Sequence, residues 1–165
     1  MNARKPSFEE FTDLYYRPVY WHIRRSVVDH GNAEDILQET FIKAYRHWWQ
    51  LRDPSAARAW IYRIATNEVN RWIRKNYRSA ESPELTEDLT AALEGGGFVD
   101  MAKAEAVALQ KGMLRLSPLQ KTVFSLRYFD DLDYDEISRI TGSNVNTLKS
   151  SYNQAKIIIK QYVGQ

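Results

Sequence analysis

Hydrophobic residues recur every three or four positions along most of the chain, which is the spacing of one face of an α-helix. The first such stretch runs from Phe8 to Ile23. It opens with Ser7 and, three positions later, Glu10, a pair typical of a capping box. Pro18 should kink this helix because proline has no N–H to donate. The first helix is predicted to end at residues 30–32.

A second and a third helix are predicted after this break. Asn32 is expected to cap the second helix, with Asp35 at its third position. The run from Gln50 to Ser55 contains Asp and Pro and should end it. The third helix is expected from Ala56 or Ala57 to about Tyr77. The inward stripe of the second helix consists of Leu37, Phe41, Ala44 and Trp48.

The remaining faces of the second helix carry a mixture of charges, an amide and one exposed apolar side chain. Such a face is either ordinary solvated surface or a contact for a partner, and the pattern alone favours solvated surface. The residues concerned are Asp35, Gln38, Glu39, Ile42 and Lys43.

Near the carboxy-terminus, residues 133–160 predict two short helices joined by a tight turn. Asp133 is positioned to cap a helix whose third residue is Glu136, and Gly142 supplies the left-handed residue that ends it. Ser143 and Asn144 offer the next cap, so that a second helix starts at residue 145. The stretch fits either a helical hairpin or a DNA-reading helix-turn-helix, in which the second helix lies in the major groove. The exposed positions of that second helix are Asn146, Thr147, Lys149, Ser150, Asn153, Gln154 and Lys156.

Charge divides the chain into three parts. Residues 1–78 hold 14 Lys/Arg and 9 Asp/Glu, residues 79–100 hold none and 6, and residues 101–165 hold 9 and 6. Two basic parts therefore flank an acidic one, which suggests two polyanion-binding domains joined by a linker. The linker contains Pro83 and three consecutive glycines, and only a short helix near 85–93 is predicted in it, so it is expected to be a tether rather than part of a core.

Basic and aromatic residues alternate along the third helix, with Glu68 as the single acid. This mixture suits single-stranded nucleic acid because the cations follow the phosphates and the rings stack on bases. The cations are Arg58, Arg63, Arg71, Arg74, Lys75 and Arg78, and the rings are those of Trp60, Tyr62, Trp72 and Tyr77.

Several classes of function find no support in the sequence. The absence of cysteine removes disulfides, thiolate metal sites and thiol catalysis. The chain has no glycine-rich phosphate loop, no nucleophile motif and no metal-ligand spacing among its histidines. Neither a membrane-spanning apolar run nor a signal peptide is found. We therefore expect a cytoplasmic protein that is not an enzyme and uses no cofactor.

Four blocks of the sequence, in order, resemble the extracytoplasmic-function (ECF) sigma factors of the sigma-70 family. The blocks are AEDILQETFIKAYR at 33–46, RAWIYRIATNEVNRWIRKNYR at 58–78, LSPLQKTVFSLRYFDDLDYDEISRITG at 116–142 and NTLKSSYNQAK at 146–156. The resemblance implies an all-α chain with two small helical domains and an acidic linker between them. Residues 1–78 would be sigma region 2, residues 79–100 the flexible linker, and residues 101–165 sigma region 4.

The resemblance also implies partners and roles. Region 2 would bind core RNA polymerase and open the minus-ten element of the promoter, and region 4 would read the minus-35 element. An anti-sigma factor is a further implied partner, and the free chain is expected to be a monomer. The polymerase-binding residues would be Asp35, Gln38, Glu39 and Ile42. The minus-ten residues would be Leu51, Arg52, Asp53, Ser55, Trp60, Arg63, Asn67, Arg71, Arg74 and Lys75. The minus-35 residues would be Asn144, Asn146, Thr147, Lys149, Ser150, Asn153, Gln154 and Lys156.

The chain departs from the family pattern in region 4. Ser151 and Gln154 stand where family members often carry a basic residue, and Asn146 stands where they often carry glycine. These changes leave fewer phosphate contacts, so the minus-35 sequence of another member cannot be transferred. Two rival hypotheses stay open: a dimeric helix-turn-helix regulator that works without polymerase, and a module that binds only proteins.

Overall fold

The computed structural model describes residues 4–94 and 104–163, and within these ranges the regular structure is helical with no strand. The described ranges contain eight α-helices. They are α1 (Phe8–Arg24), α2 (His30–Arg46), α3 (Ala57–Asn76), α4 (Pro83–Glu94), α5 (Ala104–Met113), α6 (Pro118–Phe124), α7 (Tyr134–Thr141) and α8 (Val145–Val163). Short 3-10 turns lie at Trp48–Gln50 and Pro54–Ala56, and a π-helical turn at Ser125–Phe129 follows α6. No helix in the described part combines the length and apolar character needed to cross a bilayer.

The cap of α1 is the one predicted from the sequence, and the cap of α2 is not. The Ser7 hydroxyl accepts a hydrogen bond from the Glu10 backbone N–H at 3.1 Å, as predicted. The second helix was expected to begin after Asn32, and that prediction is wrong. The Asp29 carboxylate is the cap, because it accepts from the Asn32 N–H at 2.8 Å, and α2 starts at His30.

The helix-turn-helix forms with the local signals predicted for it. The Asp133 carboxylate accepts from the Glu136 N–H, and the Glu136 carboxylate accepts in return from the Asp133 N–H, at 2.8 and 3.2 Å. Gly142 ends α7 with a φ of +78°, a value that a side chain would strain. Asn144 then accepts from the Thr147 N–H at 2.8 Å at the start of α8.

Aromatic rings form much of the first core. Phe11 is fully buried where α1, α2 and α3 meet. Its ring centroid lies 4.7 Å from that of Trp48, 6.0 Å from that of Trp60 and 6.2 Å from that of Phe41. Such tilted contacts add to the free energy of burial. A smaller second core lies under α8, where Met113 and Phe124 pack against Ala155 and Ile159.

The acidic segment contributes to the core, contrary to its description as a tether alone. The predicted helix near 85–93 is confirmed as α4, and its leucines Leu85, Leu89 and Leu93 are buried. The Tyr77 hydroxyl at the end of α3 donates to the Asp88 carboxylate of α4 at 2.6 Å. The glycines of the linker, the predicted start of α5 at Ala102 and the proposed helix end at Gly164 lie outside the described residues.

We predict that Phe11→Ala lowers the free energy of unfolding by about 3 to 5 kcal/mol, because it leaves a cavity among three helices. Leu14→Ala is the matched control on the same helix, since Leu14 is 63% exposed. The control should change stability by less than about 0.5 kcal/mol. Urea titrations of both variants measure the difference, and equal small losses would contradict the proposed core.

Candidate nucleic-acid interface

One face of α3 carries a continuous row of exposed polar side chains. Arg63, Asn67, Arg71 and Arg74 follow one another at intervals of four, four and three residues, and Lys75 adjoins the last of them. These intervals place the side chains along one side of the helix. Buried residues of the opposite side, including Ile61, hold the helix against the first core. The row can therefore contact an extended polyanion without disturbing the fold.

The loop before α3 is fixed by its own hydrogen bonds. The Asp53 carboxylate accepts from the Ser55 N–H at 3.0 Å and from the Ser55 hydroxyl at 2.8 Å. These bonds lower the pKa of the exposed Asp53 carboxyl. Arg52, Asp53 and Ser55 are exposed, as predicted minus-ten contacts must be. Leu51 differs, because it is only 3% exposed and its side chain belongs to the core.

Several residues of the basic and aromatic set, and the acid Glu68 among them, have structural partners. The half-buried ring of Trp60 packs 6.0 Å from each of Phe11 and Trp48, measured between ring centroids. Arg58 donates two hydrogen bonds to Glu136, and Glu68 accepts one from Lys43. The exposed cations for nucleic acid are accordingly the row on α3 and Arg78, rather than all six basic residues.

The predicted polymerase-binding residues share one exposed face of α2. Asp35, Gln38 and Ile42 are exposed at intervals of three and four residues, with Glu39 partly exposed beside them. Ile42 is 44% exposed. Two more exposed aromatic side chains follow at the same sequence intervals, Tyr45 on α2 and Trp49 in the 3-10 turn after it, which are 68% and 67% exposed and which the sequence reasoning missed. Continuing the intervals of three and four residues would have found both.

The outward face of α8 presents the residues predicted to meet the minus-35 element. Asn146, Thr147, Lys149, Ser150 and Asn153 are exposed, and buried Leu148 and Ala155 hold the helix from the other side. Two of the predicted minus-35 residues, Asn144 and Gln154, also make hydrogen bonds within the protein.

The first of these, Asn144, is occupied as the cap of α8. The side-chain oxygen of Gln154 accepts a hydrogen bond from the Gln120 amide at 3.2 Å. Lys156 is exposed, with its ammonium 5.0 Å from the centroid of the Tyr152 ring.

A buried polar cluster joins α1 and α3 to the turn before α7, and nothing in the sequence indicated it. Asp130 accepts from the Tyr62 hydroxyl at 2.9 Å and from the Arg25 guanidinium at 3.2 Å. Burial raises the pKa of the Asp130 carboxyl and lowers that of Arg25. The carboxylate is therefore maintained by its two donors against the cost of desolvation.

His22 lies beside this cluster in a neutral state. Its Nε2 is 3.0 Å from the Thr66 hydroxyl, and its Nδ1, 4.0 Å from Asp130, has no hydrogen-bond partner among the described residues. Burial, assisted by the Arg25 charge, lowers the pKa of His22 to about 3.

Comparisons with known proteins agree with this architecture. The family model "Sigma-70 region 2" matches residues 11–79, and "Sigma-70, region 4" matches residues 106–157. Two sigma regions in this order define a transcription initiation factor of the sigma-70 class. The RNA polymerase sigma factor YlaC of Bacillus subtilis is 26% identical over 95% of this chain and 92% of its own length. The ECF RNA polymerase sigma-E factor of Escherichia coli K12 is 29% identical over 82% of this chain and 76% of its own length.

Among solved structures, the sigma factor RpoE of Bartonella quintana, crystallised with the anti-sigma factor NepR, has a similar fold. It superposes with a TM-score of 0.74 over 95% of this chain and 96% of that one, at 20% identity. The chain belongs to the sigma-70 family, as a member of its ECF subfamily. It is an alternative sigma factor, which directs RNA polymerase to promoters.

We predict that stability falls with decreasing pH because of His22. Between its ordinary pKa of 6.5 and its folded value of about 3, the unfolded chain binds a proton that the folded chain does not. The free energy of unfolding should therefore fall by about 1.4 kcal/mol per pH unit over that interval from this residue. Thermal melts from pH 7 to pH 4 of His22→Gln should lack this component. His47→Gln, at an exposed position, should retain it, and identical slopes in both variants would contradict the assignment.

Proposed function

We propose that residues 1–78 bind core RNA polymerase and open the minus-ten element, and that residues 101–165 read the minus-35 element. The observation that carries this proposal is the presence of three exposed polar rows in one chain, on α2, α3 and α8, each backed by buried residues. The first two lie on neighbouring helices of one core and the third on the helix-turn-helix. A factor that joins an enzyme to two DNA elements needs three such surfaces.

At the minus-ten element, the proposed ligand is the separated non-template strand. Asn67 lies in the middle of the exposed α3 row, where an amide can form hydrogen bonds with the edge of an unstacked base. Extruding a base costs a few kcal/mol, which contacts to the base and to neighbouring phosphates must return. Arg63, Arg71 and Arg74 are placed to hold those phosphates, and the loop at 52–55 borders the row at its amino-terminal end.

At the minus-35 element, α8 is proposed to enter the major groove of duplex DNA. Its amino-terminal turns carry amides and hydroxyls, which form hydrogen bonds with base edges, and Lys149, which pairs with a phosphate. Asn146, Ser150 and Asn153 are the proposed base-reading side chains. Asn144 contributes by capping the helix, and Gln154 by its contact with Gln120.

The α2 face is proposed to bind the clamp of core polymerase through Asp35, Gln38, Glu39 and Ile42. An exposed isoleucine between amides and carboxylates is typical of an interface with a small apolar centre and a polar rim. The chain would act as a binding factor rather than an enzyme, in the bacterial cytoplasm, where polymerase and promoters are found. An anti-sigma factor is a further proposed partner, and the free chain is proposed to be a monomer.

Binding to core polymerase tests the function directly. We predict stoichiometric co-purification and promoter-dependent run-off transcription with the purified core enzyme. Ile42→Glu should weaken core binding at least about tenfold, because it places a charge in the apolar centre of the interface. Leu14→Glu, a matched change at an exposed leucine of α1, should bind as the original does. A chain that binds duplex DNA as a dimer and ignores core polymerase would instead be a conventional regulator.

A second prediction separates strand opening from binding. Asn67→Ala should reduce permanganate reactivity of minus-ten thymines about tenfold or more while leaving core binding within about twofold, since it removes one base contact. Asn70→Ala changes the same residue type one turn further along α3, also at an exposed position, and serves as the control. Equal losses of opening and of core binding in Asn67→Ala would contradict its assignment to the base.

A further inference from the structure

A cleft lies between α3 and α4 on one side and the segment that joins α5 to α6 on the other. Its volume is about 470 Å³, which is within the roughly 300 to 1,000 Å³ typical of sites that enclose small molecules. None of the residues proposed above to contact polymerase or DNA lines this cleft. The cleft is therefore a feature of the fold that the proposed function does not use.

One side of the cleft is apolar. Val69 and Ile73 of α3 and Leu85 and Leu89 of α4 line it, and all four are buried members of the first core. Because these side chains already pack against that core, the apolar side exists before any ligand binds. Such a surface binds the hydrocarbon part of a ligand, since contact removes apolar area of both from water.

Lys121 of α6 brings a charge without a partner to the other side of the cleft. The residue is partly exposed and lines the cleft, and burial of its ammonium lowers the pKa of Lys121 to about 8. Among the described residues it forms no hydrogen bond and no ion pair. The buried carboxylates Asp130, Glu136 and Glu68 differ, because each has a basic partner. A poorly solvated charge without a counter-ion is unfavourable, and an anion would relieve it.

The charges around the cleft favour a ligand with a single negative charge. Among the described lining residues, Arg25, Arg115 and Lys121 are balanced only by Glu81. Arg25 is already bound to Asp130, and Arg115 is exposed to solvent. Lys121 is thus the poorly solvated lining cation that is left to pair with a ligand. One ammonium matches one carboxylate, whereas a phosphate dianion is best bound by several donors.

We propose that the cleft binds a small aliphatic monocarboxylate. The carboxylate pairs with the Lys121 ammonium, and the hydrocarbon chain lies against Leu85 and Leu89. A ligand with both properties fits the cleft better than an inorganic ion or a hydrocarbon, because the cleft combines an apolar side with one unpaired charge. The site is separate from the proposed promoter contacts, so its test needs neither polymerase nor DNA.

Isothermal titration calorimetry of the full chain with sodium octanoate tests the site. We expect one octanoate per chain, with a dissociation constant below about 1 mM. Hexanoate and butyrate should bind progressively more weakly, by about three- to fourfold for each methylene removed. Inorganic phosphate, which has charge but no hydrocarbon chain, should bind at least about tenfold more weakly than octanoate.

Proton uptake gives a second readout that is specific for the ion pair. At pH 8 about half of the Lys121 side chains are uncharged, and a bound carboxylate favours the charged form. Titrations in buffers of different ionisation enthalpy should therefore show uptake of up to about half a proton per octanoate. His22, Arg25, Glu81 and Arg115 also line the cleft and stay in place when Lys121 alone is changed.

Lys121→Met is the sharpest variant, because it removes the charge and keeps an unbranched side chain of similar length. It should weaken octanoate binding at least about tenfold and abolish the proton uptake. Lys160→Met is the matched control, since Lys160 is an exposed lysine that lines a separate apolar groove with Phe124 and Val163. The control should retain the octanoate affinity within about twofold and the proton uptake. Thermal melts establish that both variants are folded.

The absence of any binding heat up to about 10 mM octanoate would overturn the proposal. Equal affinity of the original chain and Lys121→Met, or binding without proton uptake, would also overturn it. If Lys160→Met alone lost affinity, octanoate would be bound in the separate groove and the assignment to the cleft would be wrong. Phosphate that bound as tightly as octanoate would show an anion site without an apolar part, contrary to the ligand class proposed.

Discussion

The ion pair between Arg58 and Glu136 joins the two halves of this chain where α3 meets α7. Glu136 serves two purposes, because one of its carboxylate oxygens also accepts from the N–H of the residue that caps α7. A residue of the capping box at the start of the helix-turn-helix thus also contacts region 2. A change at this position that removes the acceptor would affect both the local helix and the arrangement of the domains, whereas a change that removes only the charge affects the arrangement alone.

α3 has three sides, and each side has a different neighbour. One side is buried against α1 and α2 and gives the first core its stability. A second side, with Arg58 and Tyr62, contacts region 4. A third side carries the exposed cations and Asn67. If DNA binds this third side as proposed, it can do so only as far as region 4 and α4 leave the side accessible.

Local features of the fold could be predicted from the sequence, and contacts between distant residues could not. The caps at Ser7 and Asp133, the glycine at 142 and the exposed face of α8 each depend on residues a few positions apart. Asn32 was mistaken for a cap because Asp29, three positions earlier, offers the same chemistry. The role of Arg58 was missed because an arginine that pairs with a carboxylate 78 positions away looks like any other cation in a basic helix. The burial of Asp130 was missed for the same reason.

The prediction made from composition for the acidic segment was correct about its charge but incomplete about its structure. Its charges are all negative, but three leucines at intervals of four attach its helical part to the core. As a result, acids of α4 lie next to the end of α3, where the Tyr77 hydroxyl donates to Asp88. Burial, followed by this contact with Asp88, raises the pKa of Tyr77 to about 12. Arg74 and Lys75, at the same end of α3, line a shared groove with Glu84. Because opposite charges attract, a phosphate that bound this end of the proposed row would compete with carboxylates of the same chain. Access to the exposed row of α3 is therefore limited at both ends, by region 4 at the start of the helix and by α4 at its end.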